Sequence, residues 1–287
     1  MHASTNDDFI SCWNEILVPK WNRFRHLLSG NGAIHSTIAY KDFGFRPGDK
    51  VLDIGCGYGE TCLEIGDMVT ASGEVLGIDC TDAFLDIANA ERDLAGMDHV
   101  RFEVADAQRC DLPGGYYDAA FARFGVMFFQ SAVMAMRNAH RALKPGGKLC
   151  LIVWRTIGDN PCWGAAKAIA LKHLPPPGDA ARSCGPGPFS WADEETDRAM
   201  LKSAGFTNIE LFKRIDADVR VGTSVDEAVD YQILVGPSGE IIREAGDEGQ
   251  RKLPLIRKEM ADYMRRHVRA DGTVWLPSST WAIMARK

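Results

Sequence analysis

Three alternate glycines follow a short apolar run near residue 55, with acidic residues on either side. The segment reads Val51-Leu52-Asp53-Ile54-Gly55-Cys56-Gly57-Tyr58-Gly59, and Glu60 comes next. Glycines at this spacing let the backbone approach a ligand closely, while the carboxylates attract a cation and repel a diphosphate. A dinucleotide-binding fingerprint would carry a glycine where Glu60 stands. The loop therefore predicts a site for a small molecule with positive charge.

Two further acidic residues end the next two apolar runs, in Gly77-Ile78-Asp79 and Val104-Ala105-Asp106-Ala107. Asp79 suits hydrogen bonds with both hydroxyls of a ribose, and Asp106 suits an adenine amino group between apolar neighbours. Each acid alone has a plainer role as a helix cap or turn residue. The set of three favours a nucleoside with a cationic group, such as S-adenosylmethionine.

The elements that would position these acids alternate between short apolar runs and helical stretches, which is typical of a doubly wound parallel sheet. The predicted strands are 50–55, 74–79, 100–106, 117–122, 148–154 and 206–215, with a terminal strand at 281–287 after a turn at 277–279. The predicted helices are 8–29 (broken or bent at Pro19), 59–71, 82–95, 131–143, 161–174, 193–204 and 240–269.

Taken in order, five segments resemble the class I S-adenosylmethionine-dependent methyltransferases, in the branch that acts on small molecules: DIGCGYGET, GIDCTDAFLDIA, FEVADAQ, YYDAAFARFGVMFF and HRALKPGGKL. Weaker likeness in GPFSWADEET, LKSAGF and the terminal strand extends the resemblance over most of the chain. It implies a Rossmann-like, seven-stranded, mostly parallel sheet whose last strand is antiparallel. It also implies in-line methyl transfer to a small organic acceptor at nitrogen or oxygen, with sulfur as a third option.

The resemblance also implies which residues hold S-adenosylmethionine as the methyl donor. Several of these contacts, including those of Cys56, Arg123 and Phe124, would be made through the backbone, so the Cys56 thiol need not react. The implied donor-binding residues are Asp53, Gly55, Cys56, Gly57, Asp79, Cys80, Asp106, Ala107, Arg123 and Phe124.

Aromatic and sulfur-containing side chains near the carboxyl edge of the sheet are the candidates for contact with the acceptor. These are Phe124, Met127, Phe128 and Trp154, together with Trp13 and Trp21 on an N-terminal helix that either forms a lid or simply packs. No histidine has a partner that marks it as a general base, although His2, His35 and His173 stay open. The catalytic residues are therefore unassigned, and no metal ligands are predicted.

The segments that a minimal sheet does not need predict a helical cap within one domain of 1–287. Residues 1–45 form its N-terminal part, 46–155 are the donor-binding half, and 156–192 and 218–270 are cap insertions. The closing strands are 206–215 and 280–287. Acceptor specificity is expected to reside in the cap.

Composition excludes several classes of function. A net charge of -6 over 287 residues leaves no basic surface for nucleic acid. The chain has neither a secretory leader nor about 18 consecutive apolar residues, so we expect a cytoplasmic protein without membrane partners. Its eight cysteines lack metal-ligating spacing and are expected to be reduced. The oligomeric state is not predicted.

Two alternatives remain open at this stage. A nicotinamide-dependent oxidoreductase would share the strand, the glycine loop and the ribose-binding acid. A methyltransferase-like binding subunit would keep the fold without turnover.

Overall fold

Seven strands form one sheet in the computed structural model, which describes residues 6–178 and 184–287. The strands are β1 (Lys50–Ile54), β2 (Glu74–Asp79), β3 (Val100–Val104), β4 (Tyr117–Arg123), β5 (Leu143–Trp154), β6 (Asn208–Gly222) and β7 (Val274–Arg286). Their order is β3-β2-β1-β4-β5-β7-β6. β1 to β5 pair in parallel, and β7 runs antiparallel to both β5 and β6. The predicted mostly parallel sheet with an antiparallel last strand is confirmed.

Eleven α-helices are found in the described ranges. They are α1 (Asn6–Cys12), α2 (Val18–Arg23), α3 (Arg25–Phe43), α4 (Glu60–Val69), α5 (Asp82–Ala95), α6 (Ala132–Ala142), α7 (Pro161–His173), α8 (Glu194–Ala204), α9 (Val225–Leu234), α10 (Ser238–Glu244) and α11 (Gly246–Met264). None of them is long and apolar enough to cross a bilayer.

Two hydrophobic cores lie on opposite faces of the sheet, because successive side chains of a strand point to opposite faces. Val51 belongs to the core under α3, α4 and α5, whereas Leu52 belongs to the core under α6 and α8. A third core contains residues of α7, α9, α10, α11 and the start of α3. Val221 and Val274, at the far ends of β6 and β7, also belong to this third core. The sheet and the helical cap therefore share two strands.

The turn predicted at 277–279 is wrong, because these residues lie inside β7. Pro277 pairs with Asp218 and Ser279 pairs with Asp216, so residues 218–222 of the predicted cap insertion belong to β6. Proline is tolerated here because β7 has only β6 as a neighbour at this point, since its pairing with β5 begins at Thr280.

Two predicted helices are more divided than the sequence analysis expects. The N-terminal helix departs from regular α-helix in a π-helical turn at Trp13–Leu17, just before Pro19, and it is interrupted again at Phe24. Proline has no N–H to donate to the preceding turn, so a local irregularity at this point is expected. The helix predicted at 240–269 divides into α10 and α11 before Gly246, since glycine is a poor helix former.

The expectation of eight reduced cysteines is wrong for one pair. Cys12 and Cys184 form a disulfide across 172 positions of sequence, while Cys56, Cys62, Cys80, Cys110, Cys150 and Cys162 are free. Only the fold brings the two partners together, so no local spacing could reveal the bond. Among the open histidines, His2 lies outside the described residues.

Candidate active site

A cavity of about 320 Å³ lies between the carboxyl ends of β1 to β5 and the helical cap. All the predicted donor-binding residues except Asp53 line it: Gly55, Cys56, Gly57, Asp79, Cys80, Asp106, Ala107, Arg123 and Phe124. The predicted acceptor residues line the same cavity: Phe124, Met127, Phe128, Trp154, Trp13 and Trp21. The fold therefore gathers both predicted sets in one place.

Asp53 lies beneath the glycine loop and does not line the cavity. Its fully buried carboxylate accepts hydrogen bonds from Thr61 Oγ1 and from Cys62 Sγ, the latter at 3.2 Å. Burial raises the pKa of Asp53 to about 6, although both hydrogen bonds favour the ionised form. The carboxylate thus joins β1 to the first turn of α4, and its charge reaches the cavity only through space.

The glycine loop is shaped by close packing and by a neighbouring acid. Gly55 has a φ of 69°, and a Cβ there would lie 3.0 Å from the Cα of Gly125. Gly57 has a φ of 53° and open space where a Cβ would stand. Its N–H donates to Asp79 Oδ2 at 2.9 Å, so the second strand-end acid fixes the loop.

Asp79 and Asp106 present carboxylates along the same wall. Asp79 Oδ1 accepts from the Thr81 N–H at 3.0 Å, and burial raises the pKa of Asp79. Asp106 Oδ2 accepts from Asn6 Nδ2 at 2.8 Å, while its Oδ1 accepts from the Gln108 N–H at 2.9 Å. The Asn6 contact places the N-terminal end of α1 directly on the third strand-end acid.

Arg123 connects three elements at the edge of the cavity. Its guanidinium donates to Glu60 Oε2 and to Ser36 Oγ, both at 2.9 Å, and its side chain is 10% exposed. The end of β4 is therefore tied to α4 and α3. Glu60 also lines the cavity, so the arginine partly neutralises this carboxylate.

Phe124 begins the aromatic part of the cavity wall. It has a φ of 60°, a strained conformation for a residue with a side chain. Its ring stacks on Trp154 with centroids 4.3 Å apart and planes 11° apart. Strain of this kind concentrates at functional sites, where the surrounding packing enforces it.

His35 supports the stacked rings from behind and does not line the cavity. Its ring meets Phe124 and Trp154 edge-on, at centroid distances of 6.1 and 5.6 Å. The Ser278 hydroxyl donates to a backbone carbonyl, so His35 Nε2 must donate to Ser278 Oγ, leaving Nδ1 to accept from Thr280. Burial lowers the pKa of His35 to about 4. The imidazole is a neutral structural group.

His173, the third open histidine, is also remote from the cavity. Its Nε2 lies 2.9 Å from Glu259 Oε1, within the cap. No histidine is found among the described residues that line the cavity. The described residues therefore offer no histidine as a general base, and the catalytic residues stay unassigned.

A row of rings continues from Trp154 into the cap. Trp163 lies 6.3 Å from Trp154, and Tyr231 lies 5.4 Å from Trp163, measured between ring centroids. On another part of the wall, Trp13 contacts Trp21 at 5.1 Å and Phe128 at 4.8 Å. This end of the cavity suits an apolar molecule with a ring.

Sequence reasoning missed several residues that line the cavity. Tyr58 stands within the glycine loop, so that motif could have found it. No local signal identifies the others, because distant segments supply them: Asn6, Lys20, Trp163, Val219, Val221 and Tyr231.

The charges at the sheet end of the cavity fit S-adenosylmethionine. Glu60, Asp79 and Asp106 line this end with Asp53 beneath them, and Arg123 is engaged by Glu60. Carboxylates in this arrangement attract a sulfonium and an ammonium group and repel a diphosphate.

Comparison with known proteins agrees with this geometry. Residues 51–147 match the family model described as a methyltransferase domain. The chain is 30% identical to the ubiquinone/menaquinone biosynthesis C-methyltransferase UbiE of Azotobacter vinelandii over 176 residues, which are 58% of this chain and 69% of that protein. The chain belongs to the class I S-adenosylmethionine-dependent methyltransferases. It is an enzyme that uses S-adenosylmethionine, and family membership favours this reading over a nicotinamide-dependent oxidoreductase.

Solved structures share the fold over most of the chain. The YcgJ protein of Bacillus subtilis has a TM-score of 0.57 at 17% identity, covering 88% of this methyltransferase and 97% of that chain. A Haemonchus contortus phosphoethanolamine N-methyltransferase, solved with S-adenosylhomocysteine, has a TM-score of 0.56 at 16% identity, covering 99% and 60%. At these identities the likeness shows the fold alone.

Proposed function

We propose that this methyltransferase methylates a small, apolar, ring-bearing acceptor held beneath the helical cap. One observation carries the proposal: the glycine loop, two strand-end acids and a row of aromatic rings line a single cavity. When bound, S-adenosylmethionine supplies a methyl group on a cationic sulfur. The protein contributes mainly by aligning the acceptor for in-line displacement and by excluding water.

In this proposal the strand-end acids and their neighbours hold the donor. Asp79, with Cys80 beside it, accepts hydrogen bonds from the ribose, and residues 106–107 hold the adenine. The backbone of 55–57 surrounds the methionine portion, and the backbone of 123–124 lies near its amino group. Burial raises the pKa of Cys56 to about 11, which supports a contact through backbone and not through a thiolate.

The acceptor end is assigned to the cap, within residues 1–45, 156–192 and 223–270, together with the sheet edge that it covers. The cap contributes Trp13 and Trp21 to the apolar wall, and the sheet edge contributes Met127, Phe128 and Trp154. Relatives named for ubiquinone and menaquinone biosynthesis support an acceptor with an oxygenated aromatic ring, and their C-methylation adds carbon to nitrogen and oxygen as the atom that receives the methyl group.

Titration calorimetry tests the donor assignment. S-adenosylmethionine and S-adenosylhomocysteine should bind, and NAD should not. Binding of NAD alone would overturn it.

The acceptor assignment is tested with S-adenosylmethionine that carries a trideuterated methyl group. Mass spectrometry should find the label on members of a panel of naphthohydroquinones, phenols and arylamines. Ethanolamine phosphate and glycine serve as polar controls, and transfer to these alone would contradict the proposed acceptor class. Binding of the donor without transfer to any ring-bearing member would also contradict the proposed acceptor class.

A further inference from the structure

The disulfide joins two parts of the cavity wall that are far apart in sequence. Cys12 ends α1, and Asn6, Phe9 and Ile10 of this helix line the cavity. Cys184 lines the cavity itself, as does Pro188 shortly after it. The bond therefore lies within the wall that encloses the proposed donor site.

The disulfide acts together with polar contacts at the beginning of α1. Its beginning is fixed by the Asn6–Asp106 hydrogen bond at 2.8 Å and by an ion pair of Asp7 with Arg109 at 2.9 Å. Both partners of the ion pair are more than half exposed, so it contributes little. At the far end of α1, the disulfide adds a covalent bond to the packing of the next residue, Trp13, against Trp21 and Phe128.

The two sulfurs differ in accessibility. Cys12 is fully buried, whereas Cys184 is half-buried beside the cavity. A dithiol reductant would attack the Cys184 sulfur as a thiolate, breaking the S–S bond and forming a mixed disulfide. Its second thiol then displaces Cys184, so the protein gains two thiols and the reductant leaves as a cyclic disulfide. A small-molecule disulfide reverses the reaction.

From this arrangement we propose that Cys12 and Cys184 are a redox-active pair whose bond controls access to the methyl donor site. The oxidised pair holds α1 against the acid at the end of β3. Reduction removes the covalent bond to the segment around Cys184, so that α1 and this segment can separate and the donor can leave. This inference rests on the proposed donor site, because α1 covers that site only if Asp106 belongs to it.

The test compares oxidised and reduced forms of the full-length protein. Protein equilibrated with oxidised glutathione should show six reactive thiols when denatured without reductant, and eight after dithiothreitol. Reduction should raise both the dissociation constant and the dissociation rate of S-adenosylhomocysteine about tenfold, because the closed arrangement of α1 is no longer enforced.

Matched variants separate the bond from general effects of reduction. Cys184→Ser should behave like the reduced protein and ignore dithiothreitol, whereas Cys110→Ser, at a half-exposed free cysteine, should respond like the wild type. Equal affinity in both redox states, eight thiols in the oxidised protein, or a Cys184→Ser variant that still responds would each overturn the proposed control. If S-adenosylhomocysteine binds in neither state, the donor-site assignment fails with it.

Discussion

Asp53, Asp79 and Asp106 lie at or just beyond the ends of neighbouring parallel strands, yet their carboxylates have different surroundings. Asp79 and Asp106 line the cavity and accept hydrogen bonds from backbone N–H groups. Asp53 is buried beneath the loop and bonds to side chains of α4. The first acid therefore acts on the structure of the loop, and the other two are placed to meet a ligand.

Asp79→Ala should lower the affinity for S-adenosylhomocysteine at least tenfold. The change removes the two charge-assisted hydrogen bonds proposed for the ribose, each worth about 1.5 to 3 kcal/mol. It also removes the acceptor that fixes the Gly57 N–H. Calorimetry measures the effect, with Asp82→Ala as the control because Asp82 is exposed at the start of α5. A smaller loss, or an equal loss in the control, counts against the ribose assignment.

Asp53→Asn should change how the free energy of unfolding depends on pH. The pKa of Asp53 is about 6 in the folded protein against an ordinary 3.8, so between these values the folded state binds more protons than the unfolded state. This carboxyl therefore makes the free energy of unfolding fall as pH rises through that window.

The variant lacks this titration, so its free energy of unfolding relative to the wild type should improve by about 2 kcal/mol between pH 4 and pH 7. Urea unfolding at the two pH values measures the difference. A difference independent of pH would show that burial does not raise this pKa.

Helix α3 supports two parts of the cavity wall through side chains that lie behind it. Through Ser36 it receives a hydrogen bond from Arg123, and through His35 it supports the rings of Phe124 and Trp154. A small displacement of α3 would thus disturb both the charged and the aromatic parts of the wall.

Two glycines in α3 allow a matched test of this connection. A Cβ at Gly32 would lie 2.6 Å from the Arg123 guanidinium carbon, whereas a Cβ at Gly30 would meet nothing within 4 Å. Gly30→Ala should raise the free energy of unfolding by about 0.5 to 1 kcal/mol, because alanine favours the helix. Gly32→Ala should lower it by about 1 to 3 kcal/mol, because Arg123 must leave Glu60 or Ser36.

Urea unfolding checks the stabilities, and calorimetry with S-adenosylhomocysteine should show weaker binding only in Gly32→Ala. Equal stability and equal affinity in the two variants would show that displacing the Arg123 guanidinium affects neither folding nor donor binding.

The sheet and its acids were predictable because each rests on a local pattern. Apolar runs ending in glycine or aspartate predict β1, β2 and β3, and parallel pairing then brings their ends together. The extension of β6 to Gly222 was missed although its signal is present, because charged and apolar residues alternate over 216–221 with the period of a half-buried strand. Asn6 was missed for another reason: its partner Asp106 lies 100 positions away.

For the molecule as a whole, the cap completes a cavity that the sheet only begins. The sheet edge supplies the acids, the glycine loop and the rings of Phe124, Phe128 and Trp154, whereas α1, α2, α7 and α9 add Phe9, Trp21, Trp163 and Tyr231. The donor is thus assigned mainly to the sheet, and the acceptor to the space between the sheet edge and the cap. Both layers are needed for turnover, because the acceptor must be aligned with the donor in a site without water.

Deletion of residues 1–17 should abolish methyl transfer while leaving the sheet folded. It removes α1 and the π-helical turn but keeps α3, which packs on the core. The affinity for S-adenosylhomocysteine should fall about tenfold below that of Cys184→Ser, because the covering helix is lost as well as its bond. Circular dichroism, calorimetry and the transfer assay measure the three properties. Unchanged turnover would refute a role for the N-terminal cap.

The long excursion between β6 and β7 leaves and rejoins the sheet at neighbouring points, since Gly222 pairs with Val274. The segment between these two residues contains α9, α10 and α11, and both of its ends are attached to the antiparallel pair of β6 and β7. Such an insert can be exchanged between related chains without altering the spacing of the strands that hold the donor. New acceptor preferences can then evolve by segment replacement, while the ancestral methyl-donor chemistry is inherited intact.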